Sequence, residues 1–130
     1  MLKQRLLFLP LLALCLLTAF SGCAGQTAQQ TTGNTLLAMH DVVKVSAETA
    51  NTLCIQKVIP ADKCATIKVC YDKFRMAWPI VDDAYSAYAS APATDTAATT
   101  AFNVANTVFT KDYTEIMAIL ADVGVLKGVK

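Results

Sequence analysis

Residues 64–88 read CATIKVCYDKFRMAWPIVDDAYSAY, and their pattern decides the fold. Cys64, Ile67, Tyr71, Phe74, Trp78, Val81, Tyr85 and Tyr88 follow one another in unbroken steps of three and four. An α-helix turns once in about 3.6 residues, so these side chains share one face. Lys63, Lys68, Asp72, Lys73, Arg75, Asp82 and Asp83 all fall off it. Pro79 lies inside the stretch, where it removes a backbone donor and crowds the carbonyl of Arg75. The stripe stays in phase beyond Pro79, which predicts a helix kinked near Pro79 rather than two unrelated helices.

Working outward, Ile59-Pro60 marks a break before this helix, because a residue ahead of proline avoids the α region. Upstream, residues 35–58 carry Leu36, Met39, Val43, Ser46, Ala50 and Leu53 at the same spacing, with Asn34 as the expected N-cap. The β-branched Val42, Val43 and Val45 favour a strand locally, but the stripe is long enough for the helix to win. Downstream, residues 90–94 form a loop and Asp95 is placed to cap a third segment. Its apolar face is Ala98, Phe102, Ala105, Phe109, Tyr113, Ile116, Leu120 and Val123, and Gly124 suits the position after the helix. Three amphipathic segments with short connections predict an all-α, up-down-up antiparallel three-helix bundle over residues 35–124, with a short tail at 125–130.

The chain of 130 residues is one small domain at most, and its formal charge of +1 excludes a strongly basic nucleic-acid binder. The 55% hydrophobic content is inflated by the N-terminus. Lys3 and Arg5 precede residues 6–17, which hold no polar side chain and are interrupted only by Pro10. Small and polar residues then lead to Cys23. This is the order of a secretory signal over residues 1–22, and the run is shorter than the roughly 20 apolar residues a membrane span needs.

Phe20-Ser21-Gly22-Cys23 resembles the lipobox of bacterial lipoproteins. Phe20 departs from the usual aliphatic residue at that place. The resemblance implies cleavage before Cys23, a diacylglycerol on its thiol and a palmitate-type acyl chain on its new amino group. Two or more chains suffice for stable anchoring. Ala24, not Asp, follows the cysteine, which implies the periplasmic face of the outer membrane in a Gram-negative host. Loss of Lys3 and Arg5 with the signal turns the formal charge from +1 to −1. Residues 23–34 carry no charge and no aliphatic side chain larger than Ala, and read as the lipidated Cys and a flexible tether.

Export permits disulfides, and Cys54, Cys64 and Cys70 remain once Cys15 is removed and Cys23 is lipidated. If the chain reverses around Ile59, Cys54 and Cys64 lie five residues to either side of it, level on antiparallel helices. Cys70 stands about 9 Å further along and about 120° around its helix. Bridged Cα atoms lie within about 7 Å, so Cys54–Cys64 is the expected pair and Cys70 a packed thiol.

Catalytic and metal-binding patterns are weak. The sole histidine, His40, adjoins Asp41, but spacing places no nucleophile beside the pair, and a solvated helix histidine is the expectation. Cys64 and Cys70 have neither zinc-knuckle nor redox spacing. Asp82-Asp83 reads as a solvated acidic pair, not a metal site. Tyr85 and Tyr88 are the expected aromatic contacts for a partner. No cofactor, nucleic acid or enzymatic activity is expected. The leading expectation is a non-enzymatic envelope lipoprotein, a membrane-tethered helical module for protein interaction. The alternative is a phage-related lysis or exclusion lipoprotein acting at the membrane, since the pattern of helix, Pro-Ala-Asp turn, helix, Ala-rich loop and helix resembles small helical proteins of bacteria and phages.

Overall fold

The structure, a computed structural model, describes residues 27–128. The signal segment 1–22 and the lipidation residue Cys23 lie outside the described residues. The chain divides into two compact units, Met1–Thr32 and Gly33–Lys130. Three α-helices follow in order: α1 (Ala28–Ile55), α2 (Ala61–Ser90) and α3 (Thr96–Asp122), and a short 3-10 turn (Val125–Gly128) ends the described chain.

Of the first unit, residues 27–32 are described, and from Ala28 they are helical, where a flexible tether was expected. Helix α1 begins at Ala28, so Asn34 is not a cap but an interior helical residue. The cause is a capping box. The Thr27 hydroxyl accepts from the Gln30 backbone N–H at 3.2 Å, and the Gln30 side chain accepts from the Thr27 N–H at 3.1 Å. Two donors that a helix start leaves unpaired are thereby satisfied.

In the second unit the three predicted stripes form one core. Phe74, Phe109, Ile116, Leu120, Val43 and Val81 are the largest fully buried side chains. Phe74 and Phe109 meet with ring centroids 5.0 Å apart, and Trp78 packs on Phe109 at 5.7 Å. Removing a side chain of this size from water contributes roughly 1.5–3 kcal/mol. Helix α1 supplies mostly small buried groups, Val43, Ser46, Ala47 and Ala50, which lets the aromatic side chains of α2 and α3 fill the centre. The architecture is the expected all-α three-helix bundle.

The ends of the helices have local causes. Helix α1 closes in a Schellman turn: the Val58 N–H donates to the Leu53 carbonyl at 2.9 Å and the Lys57 N–H to the Cys54 carbonyl at 3.0 Å. Lys57 sits at φ 58° in that turn, a left-handed conformation more often filled by glycine. Ile59, read from sequence as part of a break, is buried at 4% exposure and plugs this end of the core. Helix α2 runs through Pro79 as one element. Pro79 and Arg75 are both exposed, so the carbonyl that loses its partner is on the solvent side. Asp95 caps α3 as expected, its carboxylate accepting from the Ala98 N–H at 3.0 Å. Gly124 follows α3 at φ 81°, and the short tail after it folds back: Val125 is 7% exposed and Leu126 packs on the core.

Candidate functional site

The fold brings Cys54, near the end of α1, beside Cys64, in the first turn of α2. They form a disulfide with Cα atoms 5.9 Å apart, the pair that chain reversal predicts. Cys70 is the free cysteine among the described residues and is half-buried against the core, as expected of a packed thiol.

A groove of about 520 Å³ opens beside the bridge, between α1 and α2. Ala47, Glu48, Asn51 and Cys54 line it from α1; Cys64, Ala65, Ile67, Lys68, Tyr71 and Asp72 line it from α2. The short side chains of Ala47 and Ala65 leave room where larger residues would close the helix seam. The lining is apolar around Ile67, Tyr71 and the sulfurs, and charged at Glu48, Lys68 and Asp72.

The charged groups are mutually arranged. Lys68 Nζ lies 2.9 Å from Asp72 Oδ2, one helical turn on, and Arg75 lies 3.9 Å from the same carboxylate's other oxygen. The Lys68 hydrogen bond, with help from the charges of Lys68 and Arg75, holds the Asp72 carboxyl below the usual carboxylate range against the opposing effect of desolvation. Asp72 therefore stays ionised at neutral pH and presents an acceptor to the groove. Glu48, Asn51, Lys68 and Asp72 were not among the site residues expected from sequence. The available signal was the i,i+4 pairing of Lys68 with Asp72 beside the alanines.

The other expected site residues stand elsewhere. Tyr85 and Tyr88 were expected as aromatic contacts for a partner. Both are half-buried: Tyr88 stacks on Phe102 at 5.0 Å, and Tyr85 meets the edge of the same ring at 5.8 Å. They belong to the core stripe, and Phe102 of α3 gives their faces a partner. His40, expected as a solvated residue, is half-buried. Its ring stacks on Trp78 at 4.2 Å and its Nδ1 lies 3.2 Å from Asp41 Oδ1, leaving the side chain 28% exposed. Asp82 and Asp83 are exposed. Among the described residues, no group of three or more His, Cys, Asp or Glu side chains could hold a metal ion, and no helix is long and apolar enough to cross a membrane.

Lys63 Nζ pairs with Asp122 Oδ2 at 2.8 Å at the bridge end, and Lys73 with Glu115 at 3.4 Å further along, tying α2 to α3. No protein-family model, curated protein or solved structure matches this chain.

Proposed function

We propose that the protein is a non-enzymatic envelope lipoprotein, anchored through Cys23, whose bundle engages a protein partner in the α1–α2 groove. The groove beside Cys54–Cys64 carries this reading, because it joins an apolar floor to an ordered charged edge. Along α1, Ala47 lies fourteen residues from Gly33, about 21 Å of helix. A bundle anchored at its N-terminal side holds such a groove away from the membrane, where a second protein can reach it. The disulfide keeps the two walls in register, which reduces the ordering cost of binding.

Site-specific photocrosslinking in intact cells tests the reading. A photoreactive residue at Asn51 in the groove is expected to give a discrete protein adduct. The same residue at Thr114, exposed on α3, is expected to give none. Equal adducts at both positions, or none at Asn51, would defeat the groove as the docking site. The anchor has its own test: Cys23→Ser should accumulate as unprocessed precursor and incorporate no labelled fatty acid.

A further inference from the structure

We infer that the end of the bundle opposite the disulfide rests on the phospholipid headgroup layer, so that the bundle stands end-on to the membrane. The inference rests on the proposed lipid anchor at Cys23. It adds an interaction surface and an orientation to that reading.

Contacts between helices define three axial levels of the bundle. Cys54 and Cys64 are bonded at one end. His40, Trp78 and Phe109 meet at mid-height. Tyr88 stacks on Phe102, and Gly33 faces Tyr85, towards the other end. Against these levels the charges are sorted. The described basic residue of α1 is Lys44, those of α2 end at Arg75, and that of α3 is Lys111. All lie at mid-height or on the disulfide side. From Trp78 to the end of α2 at Ser90 is about 18 Å of bundle without a described Lys or Arg.

Residues 84–94 and 96–110 carry no charged side chain, and neither do residues 33–39. Asp95, between the first two stretches, already accepts the Ala98 N–H. The surface here is hydroxyls and aliphatic side chains, with Leu37 52% and Val104 63% exposed. Hydroxyls and short aliphatics suit the headgroup layer, where no ionised group has to be desolvated.

The chain before the bundle selects the occupant. α1 enters the bundle at Gly33 on this same end, and the capping box at Thr27 starts the helix at Ala28. Five residue steps from Cys23 to Ala28 span at most about 18 Å. A lipid on Cys23 therefore keeps this end, and not the disulfide end, beside the bilayer. Basic side chains that could pull the bundle onto its side by attraction to anionic lipid begin well beyond the roughly 8 Å reach of charge at physiological salt.

The test uses the full chain, purified from membranes and reconstituted in phosphatidylcholine vesicles that carry a nitroxide on the headgroup. A fluorophore is placed on Thr94→Cys, in the loop at the uncharged end, or on Thr66→Cys, near the disulfide, each with Cys70→Ser and with helical circular dichroism unchanged. Residue 66 lies about 36 Å along α2 from Ser90. Strong quenching at residue 94 and its loss at residue 66, the same at low and high salt, is the expected result. Equal quenching at the two positions, or stronger quenching at residue 66, overturns the end-on contact. Mass spectrometry of the Cys23 peptide from the same sample separates the two readings. An unmodified peptide refutes the anchor and the inference with it; a lipidated peptide without the quenching difference refutes the orientation alone.

Discussion

Gly33 on α1 lies directly against the phenol of Tyr85 on α2: a Cβ placed on Gly33 would stand 2.6 Å from Tyr85 Cζ and closer still to its hydroxyl oxygen. Glycine is thus the residue that lets the two helices approach here, and Tyr85 is held in turn by Phe102. Gly33→Ala should destabilise the bundle by about 1–3 kcal/mol through overpacking. Helix propensity acts the other way by about 1 kcal/mol. A urea titration of Gly33→Ala, Tyr85→Leu and the double variant checks it: the double variant should lose less than the sum of the two. Strict additivity would show that the close approach costs nothing.

The Cys54–Cys64 bridge closes a short loop, with ten residues of sequence separation. The chain-entropy account makes such a bridge worth about 2–3 kcal/mol. Replacing both cysteines by serine should lower the denaturation midpoint accordingly while leaving helical circular dichroism at low temperature intact. Non-reducing peptide mapping of the native protein should recover the Cys54–Cys64 peptide. Recovery of a Cys54–Cys70 peptide would contradict the arrangement.

Lys57 holds a left-handed conformation at φ 58° in the turn after α1. A side chain there costs roughly 1–2 kcal/mol, and glycine returns part of that as added freedom of the unfolded chain. Lys57→Gly should therefore raise stability by about 0.5–1 kcal/mol, read as a higher thermal midpoint. A fall would mean that the Lys57 side chain makes a contribution larger than its strain.

The Lys63–Asp122 pair predicts how stability follows pH. The hydrogen bond from Lys63, followed by its charge, holds the Asp122 carboxyl below the usual carboxylate range; reciprocally, Asp122 holds the Lys63 ammonium above the usual lysine range. A carboxylate lowered in the folded state stabilises above its unfolded pKa, and that stability disappears as pH falls through the folded value. A raised lysine stabilises below its unfolded pKa and loses that as pH rises through the folded value. The pair's contribution should span neutral pH, fading in acid below the ordinary 3.8 of aspartate and in base above the ordinary 10.5 of lysine. Both groups are solvent-exposed, so the effect should be small and weakened by salt. Thermal midpoints of wild type and Asp122→Asn should converge in acid and separate at neutral pH. A constant gap would exclude this pair as the source.

The sequence by itself determined the three helical faces, because burial obeys the 3.6-residue period of the chain. Leu36 to Leu53, Cys64 to Tyr88 and Ala98 to Val123 are buried or half-buried throughout their stripes. It also determined the Asp95 cap and the Cys54–Cys64 pair, since both follow from local geometry and a single chain reversal. The Thr27 to Gln30 box is present in the sequence but was not read from it, and residues 23–34 with their two glycines were read as a tether, because glycine reads as a breaker wherever its neighbour in space is unknown. Only the tertiary structure supplied that neighbour, Tyr85. It alone decided that Tyr85 and Tyr88 are spent on Phe102, that His40 lies on Trp78, and that a groove stays open beside Ala47 and Ala65. Each of these depends on which residue of another helix arrives at the same height. Periodicity assigns a side chain to a face, but axial register between helices is set by packing the whole core at once.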